Sequence, residues 1–350
     1  MVHCKHYFPG GNTPAGFFSY YHEILDKDTP GSMAVIKGGP GTGKSTLMKS
    51  VGKQLEQNGL ETVYLHCSSD PASLDGVFLP KYNTAVVDGT APHVLDPRHP
   101  GGIDLLLNVC DLINAKNICP MEDEIRSISK SISTHFDAGY HYLKAASAIK
   151  ALMEQKSEAC LLPREIHRFV ADMVKRLQPY AGKGREKTMF LSAITSDGFR
   201  NFAKEALEER FVILLRANPG DSTKNILQPL CSACRLRGID MEVFCCPMNP
   251  SEPEHIVFPS ANLAITVSNE YHTMESPDEV LFFSDFTSGE YDNNEEQLCY
   301  NNLLYRATEE FGKAKTLHDD LESIYIPSVD FSKMKQLETQ TLQFLTKGEL

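Results

Sequence analysis

The chain is an internal duplication: residues 38–93 recur without a gap at 217–272, each position having its counterpart 179 residues further on. Identical pairs are Pro40 and Pro219, Gly41 and Gly220, Gly59 and Gly238, Cys67 and Cys246, Pro71 and Pro250, Pro80 and Pro259, Asn83 and Asn262, Ala85 and Ala264, and His93 and His272. Apolar positions keep step as well: Leu47 with Ile226, Val51 with Leu230, Leu65 with Phe244, Val77 with Ile256, Val86 with Ile265. Turn residues and apolar residues at fixed spacing are what a backbone fold requires, so one fold used twice is expected. A length of 350 residues accommodates this, and the spacing divides the chain into 1–182 and 183–350.

The first copy carries chemistry. Gly38, Gly39, Pro40, Gly41, Thr42, Gly43, Lys44 and Ser45 fit GxxxxGK[ST] at every fixed position, and Thr46 continues the run. The apolar stretch Met33–Ile36 before the loop reads as a buried strand; Leu47, Val51 and Leu55, ending at Gly59, read as a helix with one buried stripe. Glycines let backbone N–H groups approach phosphate oxygens at a helix N-terminus; Lys44 would reach the phosphates and Ser45 would hold magnesium. Thr84–Val87 reads as a neighbouring strand ending in Asp88, the candidate magnesium carboxylate, although Asp88-Gly89 equally suits a turn. No Glu follows Asp88. Asp70, Asp75 and His93 are the groups that could polarise water or an acceptor hydroxyl, or serve only as caps and turn residues. Arg98 could reach a terminal phosphate or merely pair with an acid.

The second copy keeps the framework and loses the chemistry. Gly38 becomes Ala217, Gly43 becomes Ser222, Lys44 becomes Thr223, Ser45 becomes Lys224 and Asp88 becomes Val267. Side chains crowd an anion cradle and Thr223 supplies no charge, so one active and one degenerate nucleotide half are expected, with Lys224 a partial compensation at most. The likeness extends upstream, where His6–Thr13 with Gly16-Phe17 parallels Thr188–Thr195 with Gly198-Phe199. Each reads as strand, turn and helix. Downstream, Ile125 to Met153 and Leu304 to Ile324 mark apolar faces of two long helices, and Pro163 and Pro327 open second helical segments. A helical hairpin beside each α/β core is therefore expected, over about 121–180 and 293–346. Arg200 or Arg216 could act as a finger across a pseudo-twofold interface.

His6–Thr13, Lys37–Ser45, His66–Asp70, Val87–His93, Ile324–Ile326 and Val329–Phe331 together resemble a bacterial family of tandem P-loop ATPase-like proteins, along nearly the whole chain. The resemblance implies a duplicated P-loop NTPase fold, mainly parallel sheet flanked by helices. It also implies ATP and magnesium as cofactors, with Gly38, Gly43, Lys44 and Ser45 as nucleotide ligands and Asp88 as a metal ligand. Members typically keep two intact loops, so the changes at Ala217, Ser222, Thr223 and Lys224 leave no mechanism that needs two working sites.

Three functions fit: a magnesium-dependent ATPase, a kinase for a nucleotide or small metabolite, and a non-catalytic nucleotide-sensing module. The formal charge of −12 disfavours a coat for nucleic acid or an anionic membrane. Apolar runs such as Phe211–Leu215 fall far short of the ~20 residues that cross a bilayer. Ten scattered cysteines and a charged Met1–Phe8 suggest the cytoplasm. Cys231-Ser-Ala-Cys234 aligns with the inner face of the first loop's helix and reads as core. His3, Cys4 and His6 lack a second ligand pair. A protein or small-molecule partner and an oligomer both remain open from sequence.

Overall fold

A computed structural model describes residues 4–349. The first copy contains β1 (Lys5–Tyr7), β2 (Gly10–Thr13), β3 (Gly16–Ser19), β4 (Ser32–Lys37), α1 (Lys44–Gln57), β5 (Val63–His66), β6 (Leu74–Leu79), β7 (Thr84–Asp88) and β8 (Leu105–Asn108). The short α2 (Ala115–Ile118), the long α3 (Glu122–Glu158) and α4 (Pro163–Leu177) follow. The second copy repeats this as β9 (Glu186–Met189), β10 (Ser192–Thr195), β11 (Gly198–Asn201), α5 (Ala203–Leu207), β12 (Phe211–Arg216), α6 (Lys224–Leu236), β13 (Met241–Cys246), β14 (Asn249–Phe258), β15 (Leu263–Ser268) and β16 (Glu279–Phe282). It ends with α7 (Asn294–Tyr325) and α8 (Met334–Leu345).

The strand orders are β1-β5-β6-β7-β4-β8 and β9-β13-β14-β15-β12-β16, one topology written twice. In each sheet only the third strand, β6 or β14, runs antiparallel to its neighbours. The result is two mixed, mostly parallel sheets flanked by helices, a duplicated α/β fold. Strands β4 and β12, hydrogen-bonded on both sides, are apolar throughout their middles, as fully covered strands must be. Asn83 and Asn262 close equivalent turns with φ of 51° and 47°, a left-handed conformation asparagine tolerates.

The copies meet about a pseudo-twofold axis. Phe8 and Phe190, counterparts in the duplication and both fully buried, exchange backbone hydrogen bonds of 2.9 and 3.2 Å. A self-complementary contact of this kind is what twofold symmetry produces.

Two expectations change. Past β1 and β9 the chain forms two-stranded hairpins, β2–β3 and β10–β11, where a turn and helix were expected. Thr13 and Thr195 each donate a side-chain hydrogen bond of 2.7 Å to the carbonyl of Gly16 or Gly198, whose φ values are 102° and 100°. That turn reverses the chain at once and leaves no start for a helix. The helical hairpins are also replaced. Helix α3 packs antiparallel on α7 of the other copy, tied by Lys156–Glu296 (2.7 Å) and His135–Glu310 (2.6 Å). Gly139 allows the close crossing, since a Cβ there would lie 2.4 Å from the Phe311 ring. The second helices cross over: α4 lays Ile166, Met173, Val174 and Leu177 toward α6, and α8 buries Leu345 among Leu47, Met48 and Val51 beside α1. Each copy thus completes its core with a helix from the other, because an apolar stripe is satisfied by any apolar surface within reach.

Candidate functional site

The glycine-loop residues lie where strand meets helix. Strand β4 delivers the chain into Gly38; Gly41 and Gly43, with φ of 65° and 84°, bend it in a way L-residues resist; α1 starts at Lys44. Lys44 Nζ donates to the carbonyls of Gly38 (2.7 Å) and Gly39 (2.9 Å) and lies 3.6 Å from Asp88 Oδ2. Both charges are largely buried. Asp88 ends β7, the parallel neighbour of β4 in register with Ile36, and its Oδ1 accepts from Thr90 N (2.8 Å). Thr42 Oγ1 donates to Gly39 O (2.7 Å), and Ser45 Oγ accepts from Leu74 N (3.0 Å). Thr46 faces solvent and Pro40 is half-buried. The loop's shape therefore suits an anion, with the cation and carboxylate converging at a helix N-terminus.

Of the acid and base candidates, the structure joins two to this place. Asp75 Oδ2 lies 3.3 Å from His93 Nε2, both side chains buried. Burial pushes the Asp75 carboxyl above its ordinary range; His93 opposes this and nearby Asp88 adds to it. The Cys67 thiol, driven well up by burial and by Asp75, completes a compact group with them. Tyr21 stacks on His93, and Phe17 meets it edge-on with centroids 4.7 Å apart.

The other candidates have different surroundings. Asp70 caps its own turn, accepting from Ala72 N (3.2 Å) and Ser73 Oγ (2.8 Å). Arg98 is exposed on the segment after β7, and Arg200 is exposed and paired with Asp197. Arg216 stays in its own copy, over the Phe282 ring at 5.8 Å and beside a cleft of about 390 Å³ lined also by Asp221 and Tyr291. The pairings of Arg200 and Arg216 thus lie within the second copy. Cys231 and Cys234 are buried in the core, their thiols pushed up to about 12 by burial. His3 lies outside the described residues.

Sequence reading missed Thr90, whose hydroxyl accepts from Gly38 N (3.2 Å) and lies 3.1 Å from Gly38 O, and Val109, which abuts Gly38. Thr90 lay two places beyond Asp88, within the noted turn; nothing local marked Val109.

The second loop is plugged by α3. Ser222 N donates to Ser157 Oγ (3.0 Å), Ser222 Oγ donates to Glu158 (2.9 Å), and a Cβ on Gly220 would lie 2.5 Å from Met153. Lys224 is held by Glu154 (2.9 Å), Glu158 (3.3 Å) and Glu252 (3.3 Å), with Lys150 bridging Glu154 and Glu252. Bound to three carboxylates, it does not replace Lys44. The first loop faces the α7–α8 junction instead. A Cβ on Gly41 would lie 2.9 Å from Ile326 Cγ1, and one on Gly43 3.3 Å from Phe331 Cε1.

The chain is a duplicated α/β fold in which α3 covers the second loop and the α7–α8 junction lies against the first. A family model described as Nephrocystin 3, N-terminal matches residues 19–76, the stretch containing β4, the loop and α1, a hint of a nucleotide-related family. No curated protein and no solved structure matches the chain.

Proposed function

We propose that the protein binds a magnesium–ATP complex at Gly38–Ser45 and hydrolyses the nucleotide there, the second copy serving as a structural twin. The observation that carries this reading is Lys44. Its ammonium rests on two carbonyls of its own loop, 3.6 Å from the strand-end carboxylate Asp88 and beside backbone N–H groups turned by left-handed glycines. Swinging off Gly38 O and Gly39 O, it would neutralise phosphate oxygens, while Ser45 and Asp88 would hold the ion. Magnesium would supply charge neutralisation along the phosphates. Asp75, raised in affinity for a proton and braced by His93, is the group suited to take a proton from attacking water. The likeness to tandem P-loop proteins belongs to this same reading.

The contact of the loop with the α7–α8 junction favours a further role for the nucleotide, in moving that junction as occupancy changes. Calorimetry with MgATP tests binding: heat is expected from the wild type and none from Lys44→Ala. Phosphate release tests hydrolysis, and its absence with binding intact would reduce the protein to a nucleotide sensor. A phosphorylated metabolite in place of free phosphate would make it a kinase. No heat from the wild type would overturn the reading altogether.

A further inference from the structure

The duplication retains a second set of residues that nucleotide chemistry does not require in both copies. Asp75 and His93 correspond to Glu254 and His272, Cys67 to Cys246, and Phe17, edge-on to His93, to Phe199, edge-on to His272 at 4.8 Å. The second copy has lost Lys44, Ser45, Gly38, Gly39 and Gly43 of the loop and the strand-end Asp88, keeping only Gly41 as Gly220, yet it keeps this buried acid and histidine. It adds a histidine: Gly76 becomes His255.

A bulge aims the set. Phe244 pairs with His255 but Cys245 pairs with Pro253, so Glu254 is the extra residue of β14. The first copy does the same, with Leu65 opposite Gly76, His66 opposite Leu74 and Asp75 between. Adjacent residues of a regular strand face opposite ways; the bulge lets Glu254 and His255 both turn to His272, which comes from the segment after β15. Glu254, His255 and His272 are 8, 0 and 3% exposed, and their ligand atoms all lie within 4.8 Å of one another. Glu254 Oε1 is 3.1 Å from His272 Nε2, and Oε2 is 3.6 Å from His255 Nε2.

Two ring nitrogens of this buried group have no hydrogen-bond partner. His255 Nδ1 lies 2.7 Å from the Thr266 hydroxyl, so the ring is held from behind. His255 Nε2 is buried, turned toward the Glu254 carboxylate and without a hydrogen-bond partner, and His272 Nδ1 is buried and unpartnered as well. A buried carboxylate facing two imidazole nitrogens is a donor set that a cation shared among them would satisfy. In a tetrahedral site with ligand bonds of roughly 2.0–2.2 Å, neighbouring ligand atoms stand about 3.3–3.6 Å apart, close to the two Glu254–imidazole separations of 3.1 and 3.6 Å.

We propose that Glu254, His255 and His272 bind a divalent transition metal of the zinc class, in a three-ligand site with one coordination position left open. Two imidazoles and a carboxylate suit such an ion and are too nitrogen-rich for magnesium or calcium. Ser192 Oγ, donating to Glu254 Oε2 at 3.2 Å, and Thr266 on His255 Nδ1 orient the ligands from behind. The site does not depend on the nucleotide reading of the first copy.

The test is elemental analysis of full-length protein refolded with Zn²⁺ and desalted, beside Glu254→Gln, His255→Asn and, as a control outside the site, Lys44→Ala. Wild type and Lys44→Ala should each carry ~1 zinc per chain, and His255→Asn at least ~10-fold less. Co²⁺ in place of zinc should give the visible absorption of a low-coordinate nitrogen–oxygen site, absent from His255→Asn. Should Glu254→Gln fail to fold, His255→Asn, whose first-copy counterpart is a glycine, still decides. No zinc in the folded wild type, or equal zinc in wild type and His255→Asn, would overturn the proposal and leave a proton-sharing buried triad.

Discussion

Gly38→Ala probes whether the loop's first glycine is required by space and not by backbone freedom. Its φ is not left-handed, so alanine suits the backbone; the obstacle is Val109, whose Cγ2 would lie 2.1 Å from the new methyl. Carbon atoms rest about 3.5–4.0 Å apart, so one side must yield by roughly 1.5 Å. Val109 is fully buried on the turn after β8, in the cluster with Ile36, Leu107 and Leu112, and cannot retreat. Overpacking of this kind costs about 1–3 kcal/mol. Val109→Ala alone removes two methyl-sized groups and should cost about 2 kcal/mol. In the double variant the added methyl enters the space vacated by Cγ2, so the combined loss should fall short of the sum by at least ~1 kcal/mol. Urea midpoints of the four proteins measure the coupling. Additive losses would show that the glycine is needed for some other reason, and the steric reading would be refuted.

Further outcomes follow from other contacts. Lys224→Met leaves Glu154 and Glu252 with Lys150 alone; urea unfolding should show a loss of ~3–5 kcal/mol, part of it recovered by adding Glu252→Gln. Leu345→Ala should cost ~2–5 kcal/mol, and hydrogen exchange should quicken in α1, on the copy to which α8 does not belong in sequence. His66 is held down to about 4 by burial, assisted by His6 and opposed by the Pro71 carbonyl. The unfolded chain therefore takes up its proton first, and stability should fall as pH drops from about 6.5 to about 4, by up to ~3 kcal/mol. Urea midpoints of wild type and His66→Gln across that window check it; a difference independent of pH would refute the assignment.

Sequence alone determined the duplication, the order strand, glycine loop, helix, the copy that lost its loop chemistry and the burial of Cys231 and Cys234. These are legible because spacing, turn residues and apolar period act on neighbours a few positions apart. Tertiary structure alone decided which surfaces the amphipathic helices cover. The stripe on α4 or α8 states that it must be buried but not against what, since apolar attraction has no direction, and pseudo-twofold packing sends each to the other copy. Position in space likewise tied Lys224 to carboxylates of α3, set Val109 against Gly38, and turned Glu254 through a bulge toward His272. Each of these contacts joins residues 18 or more positions apart, a distance at which no local pattern carries a signal.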